Sequence, residues 1–114
     1  MNVRNQSDRL AMALDHYGAD LRWGRYSQAY TYHVNREGKK PQLNLERLEG
    51  FSVTSFTPAD PVLNADATEA VIPVEIKYYE KQYAMLRTVK ETQTWWFDAK
   101  TNTWYIESDF PTLK

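Results

Sequence analysis

Two histidines, fifteen carboxylate side chains and eight tyrosines are the groups in this 114-residue chain that can run acid–base chemistry. A carboxylate or imidazole with a tuned pKa beside a tyrosine donor is the pairing that takes a proton next to a carbonyl and steadies the resulting enolate. Asp15, His16, Asp20 and His33 fall in the N-terminal third, and Glu91 falls far from them in sequence. His16 stands on a helix about 100° round from Tyr17, which gives it the place of a surface histidine. His33 ends a second helical stretch, where a protonated imidazole suits the negative end of a helix. Its other option is to look into a cavity. His33 and Glu91 are the candidate bases, and no motif fixes a catalytic role for either. No third ligand stands at useful spacing from the two histidines, so no transition-metal site is expected, and no cofactor.

Composition excludes several classes. Fourteen basic residues are balanced by fifteen acidic ones, for a net charge of −1, which argues against nucleic acid as a partner. The dense basic spot Arg36-Glu37-Gly38-Lys39-Lys40 reads as a solvated loop. The absence of cysteine removes disulfides, thiolate nucleophiles, iron–sulfur clusters and cysteine-based zinc sites. No run approaches the ~18 apolar residues of a membrane span. The opening "MNVRNQSDRL" has no apolar signal core, so the chain is cytoplasmic or a targeting segment was removed ahead of Met1.

The elements that must position these groups read as one α+β domain over residues 1–114: helices at about 7–34, a loop at about 35–47 and a sheet at about 48–110. Leu10, Ala13, Leu14, Tyr17 and Leu21 make an amphipathic stripe. Ser7 and Asp8 are the expected caps, Gly18 predicts a bend or close contact, and Gly24 predicts the end. "RYSQAYTYHV" predicts a second short helix. After the loop, "GFSVTSFTP", "EAVIPVEIKYY", "YAMLRTVKETQTWWF" and "TWYIESDF" predict about four antiparallel strands, strongly curved onto the helices.

Alternation sorts the aromatic cluster. Trp95, Phe97, Trp104, Ile106, Ile72, Val74 and Ile76 are expected inside. Trp96, Tyr105 and Tyr79 are then left on the outer face as candidate interface residues, the alternative being scattered surface aromatics. Strict alternation also sends Arg87, Glu91 and Gln93 inward as a polar cavity lining, with Tyr17, Tyr26, Tyr30 and Tyr78 as aromatic neighbours. A β-bulge near Val89 would instead turn them to solvent.

Helices followed by a curved sheet with a tryptophan hairpin resemble the nuclear-transport-factor-2-like superfamily of cone-shaped α+β domains. Within it, "LRWGRYSQAY", "VEIKYY" and "QTWWFDAKTNTWYIESDFP" resemble small bacterial lipoprotein or secreted domains. The resemblance implies a cone enclosing a cavity, for a small apolar ligand or filled by side chains, and dimerisation through the sheet. It also implies a lipid-anchored, periplasm-facing envelope protein whose targeting segment is missing here. The leading expectation is a non-enzymatic ligand-binding or interaction domain. The alternative is a cofactor-free isomerase, dehydratase or cyclase acting on a hydrophobic carbonyl compound.

Overall fold

A computed structural model describes residues 3–114. Within them run α1 Val3–Arg22, α2 Tyr26–Tyr30, α3 Leu45–Leu48, β1 Phe51–Pro58, β2 Val62–Leu63, β3 Glu69–Glu80, β4 Met85–Asp98 and β5 Thr103–Ile106. The strands are antiparallel in the order β1-β3-β4-β5, and β2 adds a short pairing to the start of β3. The sheet curves into a half-barrel, and α1 lies in its concavity against β1 and β5.

The buried stripe of α1 is Gln6, Leu10, Leu14, Tyr17 and Leu21. The helix begins before the expected caps, so Ser7 and Asp8 lie inside it rather than at its start. Tertiary contacts extend it. Gln6 Nε2 donates to Ala67 O at 2.6 Å, and Gln6 O accepts from Trp104 Nε1 at 2.8 Å. At the other end Gly24, at φ +72°, closes a Schellman turn: its N–H reaches Leu21 O at 3.2 Å, and Arg25 N–H reaches Asp20 O at 2.8 Å. Gly18 is the close contact the sequence predicts, because a Cβ there would stand 2.9 Å from Phe56 Cδ2.

Three elements depart from expectation. The second helix spans only Tyr26–Tyr30. The loop after it holds α3, capped by Asn44 Oδ1 accepting from Arg47 N–H at 3.1 Å. The last strand stops at Ile106, and the residues beyond it carry on along the inner side of the sheet toward Arg87 and Tyr78. The inner side of the sheet is otherwise as alternation predicts, with Ile72, Val74, Ile76, Trp95, Phe97, Trp104 and Ile106 all buried.

The β3–β4 register runs without a break from Glu69 opposite Trp96 to Glu80 opposite Met85. No bulge therefore falls at Val89, and Arg87, Val89, Glu91 and Gln93 share the inner side with Trp95. The bulge lies in β1 between Val53 and Ser55. There the Thr54 hydroxyl donates to Lys77 O at 3.1 Å.

Candidate functional site

The inner side carries a row of polar groups in an apolar surround. His33 is fully buried, and its Nδ1 lies 2.9 Å from Ser108 O. A carbonyl can only accept, so Nδ1 carries the proton and Nε2 is left to accept from the Tyr17 hydroxyl at 2.8 Å. Burial keeps the ring neutral near neutral pH, held between α1 and the chain after β5. Burial pushes its pKa down from 6.5 to about 4; Lys40 adds to the fall, while the Ser108 carbonyl and Asp109 oppose it. The expected protonated histidine at the end of α2 is not what forms. That place is taken by Lys40, whose Nζ donates to Tyr30 O at 2.7 Å and His33 O at 3.2 Å.

Gln93 and Glu91 continue the row. Trp95 Nε1 donates to Gln93 Oε1 at 3.0 Å, whereas the buried Gln93 Nε2 makes no hydrogen bond of regular geometry. Burial raises Tyr17 well above its usual value, and the Glu91 charge raises it further. Glu91, half-buried, is itself raised by burial; the nearby Gln93 amide offsets part of both rises. The structure therefore brings together His33, Tyr17, Gln93 and Glu91, which are dispersed in sequence. Arg87 lies nearer the hairpin end, 3.8 Å from Glu80. His16 is exposed, and Asp20 pairs with Arg25 at 3.0 Å.

Beside α1, the part of the concavity toward the β3–β4 hairpin is filled by the chain after β5. Phe110 packs on His33 with ring centroids 5.0 Å apart, and Leu113 is 1% exposed. Arg47 Nη2 donates to Leu113 O at 2.6 Å, Lys114 N–H donates to the Tyr78 hydroxyl at 3.1 Å, and Arg87 donates to Lys114 O. Each tyrosine expected to line a cavity is bound to its own chain. Tyr26 donates to Phe51 O at 2.7 Å, Tyr30 to Pro41 O, Tyr78 to Lys114 O at 3.3 Å, and Tyr17 to His33. Arg47, Ser108, Phe110 and Leu113 were missed in the sequence. For Phe110 and Leu113 the one signal was the stretch "FPTL" persisting past the last tryptophan strand.

The outer side is open. Rows of paired residues cross it: Tyr79 with Leu86, Lys77 with Thr88, Glu75 with Lys90, Pro73 with Thr92, and Glu69 with Trp96 and Tyr105. A groove of about 440 Å³ lies midway, lined by Thr57, Pro58, Ala59, Pro73, Glu75 and Lys90 among others. Glu75 there meets Lys90 at 3.9 Å and Lys77 at 4.0 Å. The three expected interface residues share this side but not one patch. Trp96 stacks on Tyr105 at 5.4 Å and donates to Val34 O at 2.7 Å. Tyr79 stands ten residues along β3 from Glu69, the partner of Trp96. That is about 33 Å at the usual rise.

Comparison with protein-family models, curated proteins and solved structures gives no match. No helix among the described residues is long and apolar enough to cross a membrane.

Proposed function

We propose that this is a non-enzymatic interaction domain that works as a homodimer, each copy presenting the outer side of its sheet to the other. One observation carries the reading: the concave side is covered by α1 and by the segment of Phe110 and Leu113, while the outer side offers an open groove between charges of both signs. A two-fold axis along the strands, midway between β3 and β4, lays Tyr79 of one copy over Leu86 of the other. The same axis sets Glu75 of each copy against Lys90 of its partner, an arrangement that complements itself. The net charge of −1 leaves little general repulsion to overcome. The cone-shaped nuclear-transport-factor-2-like class and the bacterial envelope setting belong to the same proposal, and the three sequence pieces support them.

Charge exchange tests it. Lys90→Glu places like charges at the centre and yields monomer in sedimentation equilibrium, with an unchanged circular dichroism spectrum. Adding Glu75→Lys to that variant restores the dimer. A Lys90→Glu protein that dimerises as well as the parent removes this side of the sheet from the account.

A second reading, acid–base catalysis, draws support from the row His33–Tyr17–Gln93–Glu91. Both nitrogens of His33 are engaged internally, so Glu91 is the base this reading has left. It predicts turnover of an apolar carbonyl compound that Glu91→Gln abolishes with folding intact. Turnover that survives the substitution takes Glu91 out of the mechanism.

A further inference from the structure

The residues that fill the hairpin end of the concavity are held outside the main-chain ladder of the sheet. Among the described residues, 109–113 make no main-chain to main-chain hydrogen bond with the body. Their grip comes from side chains. Arg47 on α3 donates to Leu113 O at 2.6 Å, and Arg87 and Tyr78 hold the main chain of Lys114 from the sheet. Such contacts fix an extended backbone whatever its side chains are, and leave selectivity to pockets. There are two such pockets, three residues apart. One takes Phe110 against His33, and the other takes Leu113, while Asp109 and Thr112 stay exposed. An open cavity of about 470 Å³ runs beside the segment, bordered by Gln42, Asn44, Asp109 and Thr112, with room for different side chains there.

Backbone clamps on two flanks, paired apolar pockets and free space beside them are the parts of a peptide-binding site. We infer that the concave side is a seat for an extended peptide, occupied in cis by residues 109–114. The partner it fits carries an aromatic residue, a proline after it and a leucine three positions beyond the aromatic, as Phe110, Pro111 and Leu113 do. The seat lies on the opposite side of the sheet from the proposed dimer contact, so it stands or falls independently of that contact. A tethered segment competes at an effective concentration on the order of millimolar, so a partner must bind tightly or arrive in tandem.

The test uses the full chain and a fluorescein-labelled peptide with the sequence of residues 107–114. Phe110→Ser with Leu113→Ser empties the pockets. That variant binds the peptide at least tenfold more tightly than the parent, and Arg47→Ala added to it weakens binding again. A second measurement covers the case in which the emptied variant fails to fold. The chain lacks cysteine, so Thr112→Cys takes a single dye. Millimolar unlabelled peptide then lowers the dye's anisotropy by displacing the tethered segment, and a peptide with serine for the phenylalanine and leucine does not. Dye anisotropy that neither peptide moves, or a folded emptied variant that binds no better than the parent, overturns the inference.

Discussion

The Tyr17 hydroxyl donates to His33 Nε2 at 2.8 Å while His33 Nδ1 holds Ser108 O at 2.9 Å, so one neutral imidazole joins α1 to the chain beyond β5. The direction of the first bond depends on the ring staying uncharged. Protonation would put a hydrogen on Nε2 where Tyr17 now donates, and a charge where burial disfavours one.

Stability should therefore fall on acidification. The folded-state pKa of His33 is about 4 and its ordinary value is 6.5. Above 6.5 the ring is neutral in both states, and its full contribution is present. As pH falls from 6.5 toward 4 the unfolded chain takes up the proton first, and about 3 kcal/mol is lost across that window. Glu91 works the other way: burial raises it, so its protonation on acidification relieves strain and offsets part of the loss. Urea unfolding at a series of pH values measures the slope. His33→Gln should flatten it between pH 6.5 and 4, and an unchanged slope would mean that other groups set the acid sensitivity.

Gly18→Ala pits two effects against each other. Alanine gains about 1 kcal/mol of helix propensity. Its Cβ, however, would lie 2.9 Å from Phe56 Cδ2, and the Phe56 ring is backed by Tyr17 with centroids 5.4 Å apart. Overpacking of this kind costs about 1–3 kcal/mol, so a net loss of about 1 kcal/mol is expected. Phe56→Leu in the same chain should recover part of it, which a double-mutant cycle would register as coupling. Additive losses would show that the ring moves aside freely.

Trp96 has an internal role as well as a proposed external one. Its indole N–H donates to Val34 O at 2.7 Å, anchoring the loop that follows His33. Trp96→Phe keeps an aromatic face and drops the donor, so unfolding free energy should fall by about 1 kcal/mol. Dimer formation, read by sedimentation, should weaken less than with Lys90→Glu. Equal stability of Trp96→Phe and parent would mean that the loop is held by other contacts.

Ala84 sits in the β3–β4 turn at φ +52°, a left-handed conformation that costs an alanine about 1 kcal/mol or more. Ala84→Gly should raise the thermal midpoint, with a net gain of about 0.5 kcal/mol after glycine's extra chain entropy. A lowered midpoint would show that the Ala84 methyl contributes packing that outweighs the strain.

Much of the architecture was legible because it is periodic. Two-residue alternation placed Trp95, Phe97, Trp104 and Ile106 inside, and three- and four-residue spacing placed Leu10, Tyr17 and Leu21 on one side of α1. The short and the non-local parts were not legible. α3 is a single turn, too brief for a period. Gln6 extends α1 because it meets Ala67 and Trp104, contacts that no local pattern records. His33 looked like a helix-end cation, but the loop after it returns Lys40 to that end and leaves the ring enclosed. Alternation put Tyr79, Trp96 and Tyr105 on one side of the sheet, while strand length and register set Tyr79 apart from the other two. The filling of the hairpin end of the concavity turns on Phe110 and Leu113, whose six-residue stretch carries no period at all.

The most direct measurement is native mass spectrometry of the unaltered protein across a dilution series. The account predicts a species of twice the chain mass that carries no added small molecule and dissociates on dilution. A species of single chain mass at every concentration, or one that retains a bound small molecule, would contradict it.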